Sequence, residues 1–253
     1  MTHQKRVESV VSDMVDAIRG VLRKHEVSFD EYRAGVRHLM AVAESGETPL
    51  LLDVFFNSTI VAIEDRSNRG SKMGLEGPYF LENAPEVDGE LKKLDGDEKN
   101  SPPLVVQGRI ADLHGAPVAD AVLDIWHSTP DGRYGGYHDN LPKDIYRGKI
   151  RTDANGGYRV RSLRPVAYHI PNKGPTGALL EKHMGRHSWR PAHVHFKIRK
   201  DGYKPLTTQA YFEGGDWNDS DCCSGVWSEQ IHRERVDDGV HVLEIDFVLD
   251  SAP

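Results

Sequence analysis

The sequence predicts an α+β protein in which a helical N-terminal region precedes an antiparallel β-sandwich. Apolar residues recur at spacings of three and four through roughly the first 65 residues, which is the period of an α-helix. Beyond a charged, proline-punctuated stretch at 83–103, short β-branched and aromatic runs alternate with Gly, Pro, Asn and Asp, without intervening helices. We therefore predict a helical region at 1–82, a loop or linker at 83–103 and a β-sandwich domain at 104–253.

Three helices are predicted in the N-terminal region. The first spans 7–24, where Val, Met, Ile and Leu side chains form one apolar stripe. The second follows Ser28, because Glu31 three residues later completes a capping-box pattern, and it ends at Gly46. The third begins at Thr48-Pro49, an N-cap residue followed by a proline suited to a first helical turn. Apolar stripes of this kind need a surface to pack against.

Short runs rich in Val, Ile, Leu and aromatic residues predict the strands, because each run ends at turn-forming residues. They lie at 104–106, 122–126, 194–198, 206–212 and 240–248. The segment 151–158 contains Asn-Gly-Gly, so we expect a hairpin turn between two strands there. Many short strands without helices between them favour a sandwich or barrel.

Composition and charge exclude several classes of protein. The 253 residues include 32 Lys and Arg against 39 Asp and Glu, a net charge of −7, which lacks the basic footprint of nucleic-acid binding. The two cysteines, Cys222 and Cys223, are adjacent, which excludes a disulfide-stapled fold. No secretory h-region and no run of about 18 apolar residues occurs, so we expect a cytoplasmic protein without membrane insertion. A core of this size rarely needs a metal to fold, so a bound metal would serve chemistry.

His193 and His195 form the sharpest local pattern. Strand alternation places both imidazoles on one face and Val194 and Phe196 on the other. Two imidazoles on one face can bind a metal, although a solvated strand face with two unrelated histidines fits the same pattern. No Asp or Glu occurs within 191–199, so the His-x-Asp spacing of ferrous facial triads is absent.

Tyrosine is another anionic donor. Its phenol has a usual pKa of about 10, but Fe(III) is a Lewis acid strong enough to bind it as a phenolate at neutral pH. Tyr134 follows a strand and a Pro-Asp-Gly turn, and Tyr168 lies between Pro165 and Pro171, which stiffen the chain. Each could equally be an ordinary half-buried aromatic residue. The pattern alone leaves open whether these side chains meet at one metal.

Four motifs then occur in order along the chain. They are Asp-Ile-Trp-His-Ser-Thr-x-Asp-Gly-x-Tyr at 124–134, Arg-Pro-Val-x-Tyr-x-Ile-Pro-x-x-Gly-Pro-Thr-Gly at 164–177, Gly-Arg-His-Ser-Trp-Arg-Pro-Ala-His-Val-His at 185–195 and Leu-Thr-Thr-Gln-x-Tyr-Phe at 206–212. Together they resemble the intradiol ring-cleavage dioxygenases, specifically the chlorocatechol 1,2-dioxygenases. With Gly-Pro-Tyr-Phe at 77–80 and the helical N-terminus, the resemblance covers nearly the whole chain.

The resemblance implies one non-haem Fe(III) per subunit, held by Tyr134, Tyr168, His193 and His195, with a solvent hydroxide in the fifth position. Tyr168 and His195 would be the axial ligands. Two phenolates and a hydroxide would neutralise the three positive charges of the ion. In the family's reaction a catechol binds as a chelating dianion and displaces the axial tyrosine, which takes up a substrate proton as a general base. O2 then adds to the activated ring, which opens to a cis,cis-muconate.

The resemblance also implies catalytic roles for Arg190 and Gln209. The Arg190 guanidinium would stabilise charge developing on the ring, and Gln209 would form hydrogen bonds close to the ligands. Taken singly, these residues could instead be a surface ion pair at a strand edge and a polar strand residue. The resemblance places the wall of the substrate pocket at Leu50, Asp53, Val54, Leu75, Gly77, Tyr79 and Cys223, whose alternative roles are ordinary packing and, for the thiol, an inert buried cysteine.

We therefore expect an enzyme that cleaves (chloro)catechols with O2 between the two hydroxyl-bearing carbons, in aromatic degradation. A chlorine is apolar and methyl-sized, worth about 1–3 kcal/mol, so chlorocatechols would be favoured without being exclusive. One alternative is a hydroxyquinol 1,2-dioxygenase with the same four ligands, and another is a non-catalytic β-sandwich carrier of aromatic or lipid ligands. Relatives form a homodimer through their N-terminal helices and can hold a phospholipid at that interface, so we expect the homodimer here and regard the lipid as a candidate ligand.

Overall fold

The computed structural model describes residues 2–252 and divides between Thr48 and Pro49 into two compact units. The first unit is helical, and the second contains short helical segments followed by the β-sheets. Within the described residues, none of the helices has both the length and the apolar character needed to cross a membrane. The sequence-based division at residues 82 and 103 stays a prediction.

Helices α1 (His3–Lys24) and α2 (Phe29–Glu44) form the first unit. The Thr2 hydroxyl caps α1 by accepting a main-chain hydrogen bond of 3.4 Å, so this helix begins earlier than predicted. The predicted capping box of α2 is confirmed. The Ser28 hydroxyl accepts from the Glu31 main-chain N at 3.3 Å, and the Glu31 carboxylate accepts from the Ser28 main-chain N at 2.7 Å.

Both helices of the first unit present large apolar side chains at the surface. Among residues 2–48 only Val42 is buried. The exposed apolar side chains include Val7, Val10, Val11, Met14, Ile18, Val21, Phe29, Leu39 and Met40. An exposed apolar face of this extent is typical of an interaction surface.

The predicted third helix is present, but its centre is π-helical. Helix α3 (Thr48–Leu52) leads into a π-helical turn at Asp53–Asn57, and helix α4 (Ser58–Asp65) follows. Such π-helical turns are rare and occur frequently at functional sites. This one carries Asp53 and Val54, two of the predicted pocket-wall residues.

The predicted β-sandwich is confirmed. Its strands are β1 (Pro103–Asp112), β2 (Val122–His127), β3 (Arg147–Arg151), β4 (Gly157–Leu163), β5 (Tyr168–His169), β6 (Trp189–Arg190), β7 (His193–Arg199), β8 (Leu206–Phe212), β9 (Ile231–His232), β10 (Arg235–Asp237), β11 (Val240–Glu244) and β12 (Phe247–Leu249). The first sheet has the strand order β3-β2-β7-β8-β9, the second has the order β10-β11-β1-β12 with β4 also paired to β1, and β5 and β6 form a separate ladder. A short helix, α5 (Pro175–Ala178), and a π-helical turn at Leu179–His183 connect β5 to β6.

The two sheets are mixed and not purely antiparallel. Strands β11 and β12 both run parallel to β1, and β9 runs parallel to β8. The run predicted as one strand at 240–248 is split between β11 and β12, where the Arg109 main-chain N donates to the Asp246 carboxylate at 2.7 Å. At the same place a β-carbon on Gly108 would lie only 1.8 Å from the Ile245 carbonyl oxygen. Gly108 therefore permits a close main-chain approach that no other residue would allow.

The predicted hairpin at 151–158 is wrong, because the flanking strands belong to different sheets. Strand β3 pairs with β2, whereas β4 pairs with β1, so the turn connects the two layers of the sandwich. The Asp153 carboxylate accepts hydrogen bonds of 2.8 Å from the main-chain N atoms of Asn155 and Gly157. These bonds hold the tight turn in the same way whether the two flanking strands pair with each other or with other strands. The sequence of the turn therefore resembles that of a hairpin.

Strand β7 has one face toward the main core and the other toward the candidate site. Val194, Phe196 and Ile198 are buried in the cluster that also contains residues of the second sheet. His193 and His195 alternate with them and are also buried. The predicted alternation along this strand is confirmed, and both imidazoles lie on the outer face of their sheet.

Candidate metal centre and substrate cavity

The two imidazoles of β7 converge on one point. The Nε2 atoms of His193 and His195 lie 2.9 Å apart. The His193 Nδ1 lies 2.7 Å from the Pro191 carbonyl oxygen, and because a carbonyl only accepts, Nδ1 carries the proton and Nε2 presents its lone pair. Burial lowers the pKa of His193 to about 3 and that of His195 well below its usual range. Both rings are therefore neutral, as metal ligands must be.

Tyr134 and Tyr168 lie beside this histidine pair. Their ring centroids are 5.3 Å apart, and the Tyr168 ring lies 5.7 Å from the ring of His193. The buried Tyr134 hydroxyl has no partner of hydrogen-bonding geometry among the described residues. The neighbouring Tyr168 phenol lowers the pKa of Tyr134, against the larger effect of burial. Burial raises the pKa of both phenols, so the protein alone keeps them protonated and a bound cation is needed to stabilise the phenolates.

Each tyrosine is held by its own local structure. Tyr134 follows a tight turn in which the Thr129 hydroxyl accepts from the Arg133 main-chain N at 2.9 Å. Tyr168 is fixed by the two-residue ladder of β5 and β6, where it lies directly opposite Arg190. The four predicted ligands therefore come from three separate segments that the fold brings together.

Arg190 is buried, and its partners are buried as well. Its Nε donates to Asp221 Oδ1 at 3.1 Å, and its Nη2 donates to Asp221 Oδ2 at 3.2 Å and to the Tyr211 hydroxyl at 2.8 Å. Nη2 also lies 3.3 Å from the Gln209 Oε1 acceptor. The alternative of a surface ion pair at a strand edge is wrong for this residue, because its side chain is only 4% exposed.

Gln209 connects Arg190 to the histidines. Its register partner across the β7–β8 ladder is His195, and its Nε2 lies 3.2 Å from the His195 Nδ1. The Tyr211 hydroxyl also donates to its Oε1. Gln209 therefore contacts both a predicted metal ligand and the guanidinium.

One cavity joins all seven predicted wall residues to the centre. It is lined mainly by apolar and aromatic side chains with a few polar groups among them, as small-molecule sites usually are. Tyr79 stacks on Tyr134 with a centroid distance of 4.1 Å. The Asp53 carboxylate accepts a hydrogen bond from the Asn57 side chain at 3.2 Å, and burial raises the pKa of this carboxyl group. The lining residues are Leu50, Asp53, Val54, Asn57, Leu75, Gly77, Pro78, Tyr79, Tyr168, Ile170, Arg190 and Cys223.

Several residues of the site were missed by the sequence analysis. Tyr211 could have been found from strand alternation, since it lies two residues after Gln209 on β8 and opposite His193. Trp126 stacks on His195 at 4.6 Å because the two are register partners in the β2–β7 ladder. Asp221 carries no local signal, because its contact with Arg190 depends on the path of a long loop.

A second group of metal-type donors lies at the edge of the cavity. The donor atoms of Asp221, Cys222 and Cys223 lie within 4.8 Å of one another, and among residues 2–252 this is the one cluster of three such His, Cys, Asp or Glu donors. The Asp221 carboxylate is already engaged by Arg190. The geometry therefore favours a role for Asp221 in holding the guanidinium.

Comparisons with known proteins agree with this geometry. The family model described as "Catechol dioxygenase N terminus" matches residues 4–72, and the one described as "Dioxygenase" matches residues 75–251. The chain is 54% identical over 248 residues to the chlorocatechol 1,2-dioxygenase of Pseudomonas sp. strain P51, covering 98% of both chains. It matches the crystal structure of the Pseudomonas putida chlorocatechol 1,2-dioxygenase with a TM-score of 0.92 at 54% identity, covering 97% of this chain and 99% of that one. Identity falls to 31% for the 6-chlorohydroxyquinol 1,2-dioxygenase of Cupriavidus pinatubonensis, covering 98% of this chain and 92% of that one.

Proposed function

The chain belongs to the intradiol ring-cleavage dioxygenase family, and on that premise we propose that it cleaves chlorinated catechols with O2 between the two hydroxyl-bearing carbons. The family predicted from the four motifs is confirmed. The single observation that carries the substrate class is the 54% identity to chlorocatechol 1,2-dioxygenases over nearly the whole chain, against 31% to a chlorohydroxyquinol enzyme. The product class is a chloro-cis,cis-muconate.

We propose that one non-haem Fe(III) per subunit is held by Tyr134, Tyr168, His193 and His195. Two observations support this donor set. The buried Tyr134 hydroxyl lacks a hydrogen-bond partner among the described residues, and two neutral imidazole Nε2 atoms face each other at 2.9 Å. Ferric iron in such a set supplies Lewis-acid binding of a catechol dianion and activation of its ring toward O2.

Tyr168 is the proposed general base. Of the four proposed ligands, it is the one whose side chain lines the cavity described above, so its hydroxyl oxygen can receive a proton from the incoming diol. The positive charge of Arg190 lowers the pKa of Tyr168 and so favours its phenolate, whereas burial raises that pKa and is the larger effect. A residue placed between the metal donors and the cavity can serve as both ligand and base.

Arg190 and Gln209 act on the charge that develops as the ring is attacked. Arg190 lines the cavity and keeps its positive charge: burial opposes the charge, but Asp221 together with the phenols of Tyr211 and Tyr168 and the Cys223 thiol raises the pKa of the guanidinium well above its usual range. A buried cation beside the reacting ring stabilises negative charge more strongly than it would in water. Gln209, which contacts His195 Nδ1, orients this ligand and the guanidinium together.

The cavity wall suits an apolar ring substituent. Leu50, Val54, Leu75 and Cys223 supply apolar or sulfur contacts, and chlorine gains from the same contacts as a methyl group. Asp53 supplies an acceptor that a third ring hydroxyl could use. Hydroxyquinol therefore belongs among the substrates to be tested.

We also propose that the protein is a homodimer formed through the apolar faces of its N-terminal helices. The exposed Val, Met, Ile, Leu and Phe side chains of α1 and α2 support this proposal, because a second copy would cover them. A phospholipid at that interface is a candidate ligand, to be tested by mass spectrometry of solvent extracts of the purified protein. The cytoplasmic location stays a prediction.

The substrate is tested by the initial rates of O2 uptake with 3-chlorocatechol, 4-chlorocatechol, catechol and hydroxyquinol on one iron-loaded preparation. We expect the chlorocatechols to have the highest kcat/KM. If hydroxyquinol has the highest kcat/KM instead, the protein is a hydroxyquinol 1,2-dioxygenase and the proposed substrate is wrong. The same preparation should show a visible phenolate-to-Fe(III) charge-transfer band and a high-spin ferric paramagnetic resonance signal; absence of both, with no O2 uptake on any diol, would leave the non-catalytic carrier.

A further inference from the structure

The polar contacts of Arg190 divide its guanidinium into two sides. Nε and Nη2 are occupied by Asp221, and Nη2 is also bonded to the Tyr211 hydroxyl. Nη1 has one polar neighbour of hydrogen-bonding distance among the described residues, the His193 Nε2 at 3.4 Å. Because His193 Nε2 is a proposed metal ligand, Nη1 lies at the reacting centre, and a metal bound at Nε2 would occupy the lone pair to which Nη1 donates in this structure.

Asp221 is itself held rigidly. Its Oδ2 accepts from the Gly225 main-chain N at 2.9 Å, and its Oδ1 accepts from the Cys223 main-chain N at 3.4 Å. Its side chain is 1% exposed, and it does not belong to the cavity lining. The carboxylate therefore lies behind the guanidinium and does not meet the substrate.

The ion pair also sets the charge state of both residues. Burial alone would raise the pKa of the Asp221 carboxyl, but the charge and hydrogen bonds of Arg190, together with the hydrogen bond from the Gly225 main-chain N, hold that pKa below its usual range. Removal of one charge from such a buried pair leaves the other uncompensated. A planar guanidinium bound along one edge by both oxygens of a carboxylate has its orientation fixed as well as its charge.

Resting on the proposed function, we infer that Asp221 is a positioning residue for the ring-cleavage reaction: it binds the Nε–Nη2 edge of Arg190 and thereby directs Nη1 to the metal-binding side of His193. Asp221 acts only through Arg190. Among the described residues no hydrogen bond joins it to a proposed ligand, and it does not line the cavity, so its loss should change the rate of the chemical step more than substrate binding.

The test compares Asp221→Asn, which keeps the shape of the side chain and removes its charge, with Asp219→Asn, an exposed carboxylate of the same loop, as the matched control. For Asp221→Asn we expect kcat to fall about 10- to 100-fold, as for other residues that orient a ligand or catalytic group, with KM, iron content and the visible band unchanged. Asp219→Asn should keep the parental kcat. A parental kcat for Asp221→Asn would overturn the inference.

A double-mutant cycle separates positioning from general support of the fold. If Asp221 acts only through Arg190, the kcat of Arg190→Gln/Asp221→Asn will equal that of Arg190→Gln alone. If the fold-losses in kcat of the two single variants instead multiply in the double variant, Asp221 has an independent structural role and the inference is contradicted. If Asp221→Asn alone cannot be purified, Asp221→Glu replaces it, because it keeps the buried charge and moves the carboxylate relative to Nε and Nη2; a parental kcat for that variant would equally overturn the inference. A parent that binds no iron and cleaves no catechol would refute the proposed function itself, which these variants do not test.

Discussion

The main chain of Gly132 lies directly against the side chain of Tyr168. A methyl group on the Gly132 Cα would come within 2.9 Å of the Tyr168 Cβ, and Gly132 has a left-handed backbone with φ of +82°. The turn that delivers Tyr134 therefore packs on the strand that carries Tyr168. This contact sets the spacing of the two proposed phenolate ligands.

Gly132→Ala should disturb the metal centre, whereas Gly202→Ala should not. Gly202 has nearly the same backbone, with φ of +85°, and open space around it, so its alanine variant measures backbone strain alone, about 1–2 kcal/mol. Gly132→Ala adds a clash worth roughly 1–3 kcal/mol more and displaces Tyr168. Thermal unfolding and the visible spectrum measure both effects. Equal melting temperatures and identical spectra for the two variants would contradict the predicted contact.

Loss of either proposed phenolate should change the colour of the iron-loaded protein. Tyr134→Phe and Tyr168→Phe each remove one phenolate donor from the centre, so the charge-transfer band should shift or disappear. Tyr168→Phe should also abolish turnover, because it removes the proposed base. Tyr32→Phe, at an exposed position on α2, is the control. If neither active-site variant alters the band, the ligand assignment is wrong.

Val54→Ala should change the preference among catechols without changing the iron centre. Val54 is buried on the π-helical turn and lines the cavity, so its truncation enlarges the space beside the ring substituent. The ratio of kcat/KM for chlorocatechol to that for catechol should move by no more than about 200-fold, the range of such apolar contacts. Val61→Ala is the matched control, because Val61 belongs to the same apolar cluster without lining the cavity. An equal change in both variants would mean that the effect arises from packing.

His127 should make the second unit sensitive to acid. Burial lowers the pKa of this imidazole to about 4, and its two ring nitrogens are bonded to the Ser128 carbonyl and the Ser162 hydroxyl. As the pH falls from about 6.5 to about 4, this imidazole becomes protonated in the unfolded chain but stays neutral in the folded protein. The free energy of unfolding therefore decreases as the pH falls through this range. The loss amounts to about 3 kcal/mol when each pKa unit is worth 1.36 kcal/mol.

Urea unfolding from pH 7.5 to pH 4 measures this loss. His127→Asn should be less stable than the parent at pH 7.5, because it gives up part of the hydrogen bonding, but its stability should fall less steeply with acid. Subtracting the two curves removes the contribution of the other histidines. Parallel curves for the two proteins would show that His127 does not titrate as proposed.

Local periodicity was enough to predict much of this molecule. The helices of the first unit, the capping box at Ser28 and the alternation along β7 follow from side chains within one or two turns or pleats of each other. The four motifs then identified the family, and through it the proposed ligands and all seven wall residues. These features were accessible because each depends on neighbours in the sequence or on a pattern already known as a unit.

Pairing between distant segments was decided only by the tertiary structure. A turn has the same local bonds whether it connects one sheet or two, which is why the segment at 151–158 was misread as a hairpin. Nothing near Asp221 in the chain indicates that it binds Arg190, because that contact arises from loop closure over the end of a sheet. The amino-acid order specified which side chains could serve as donors, acids and bases. Strand order and loop path, which are set by burial of the whole core, decided which of them meet.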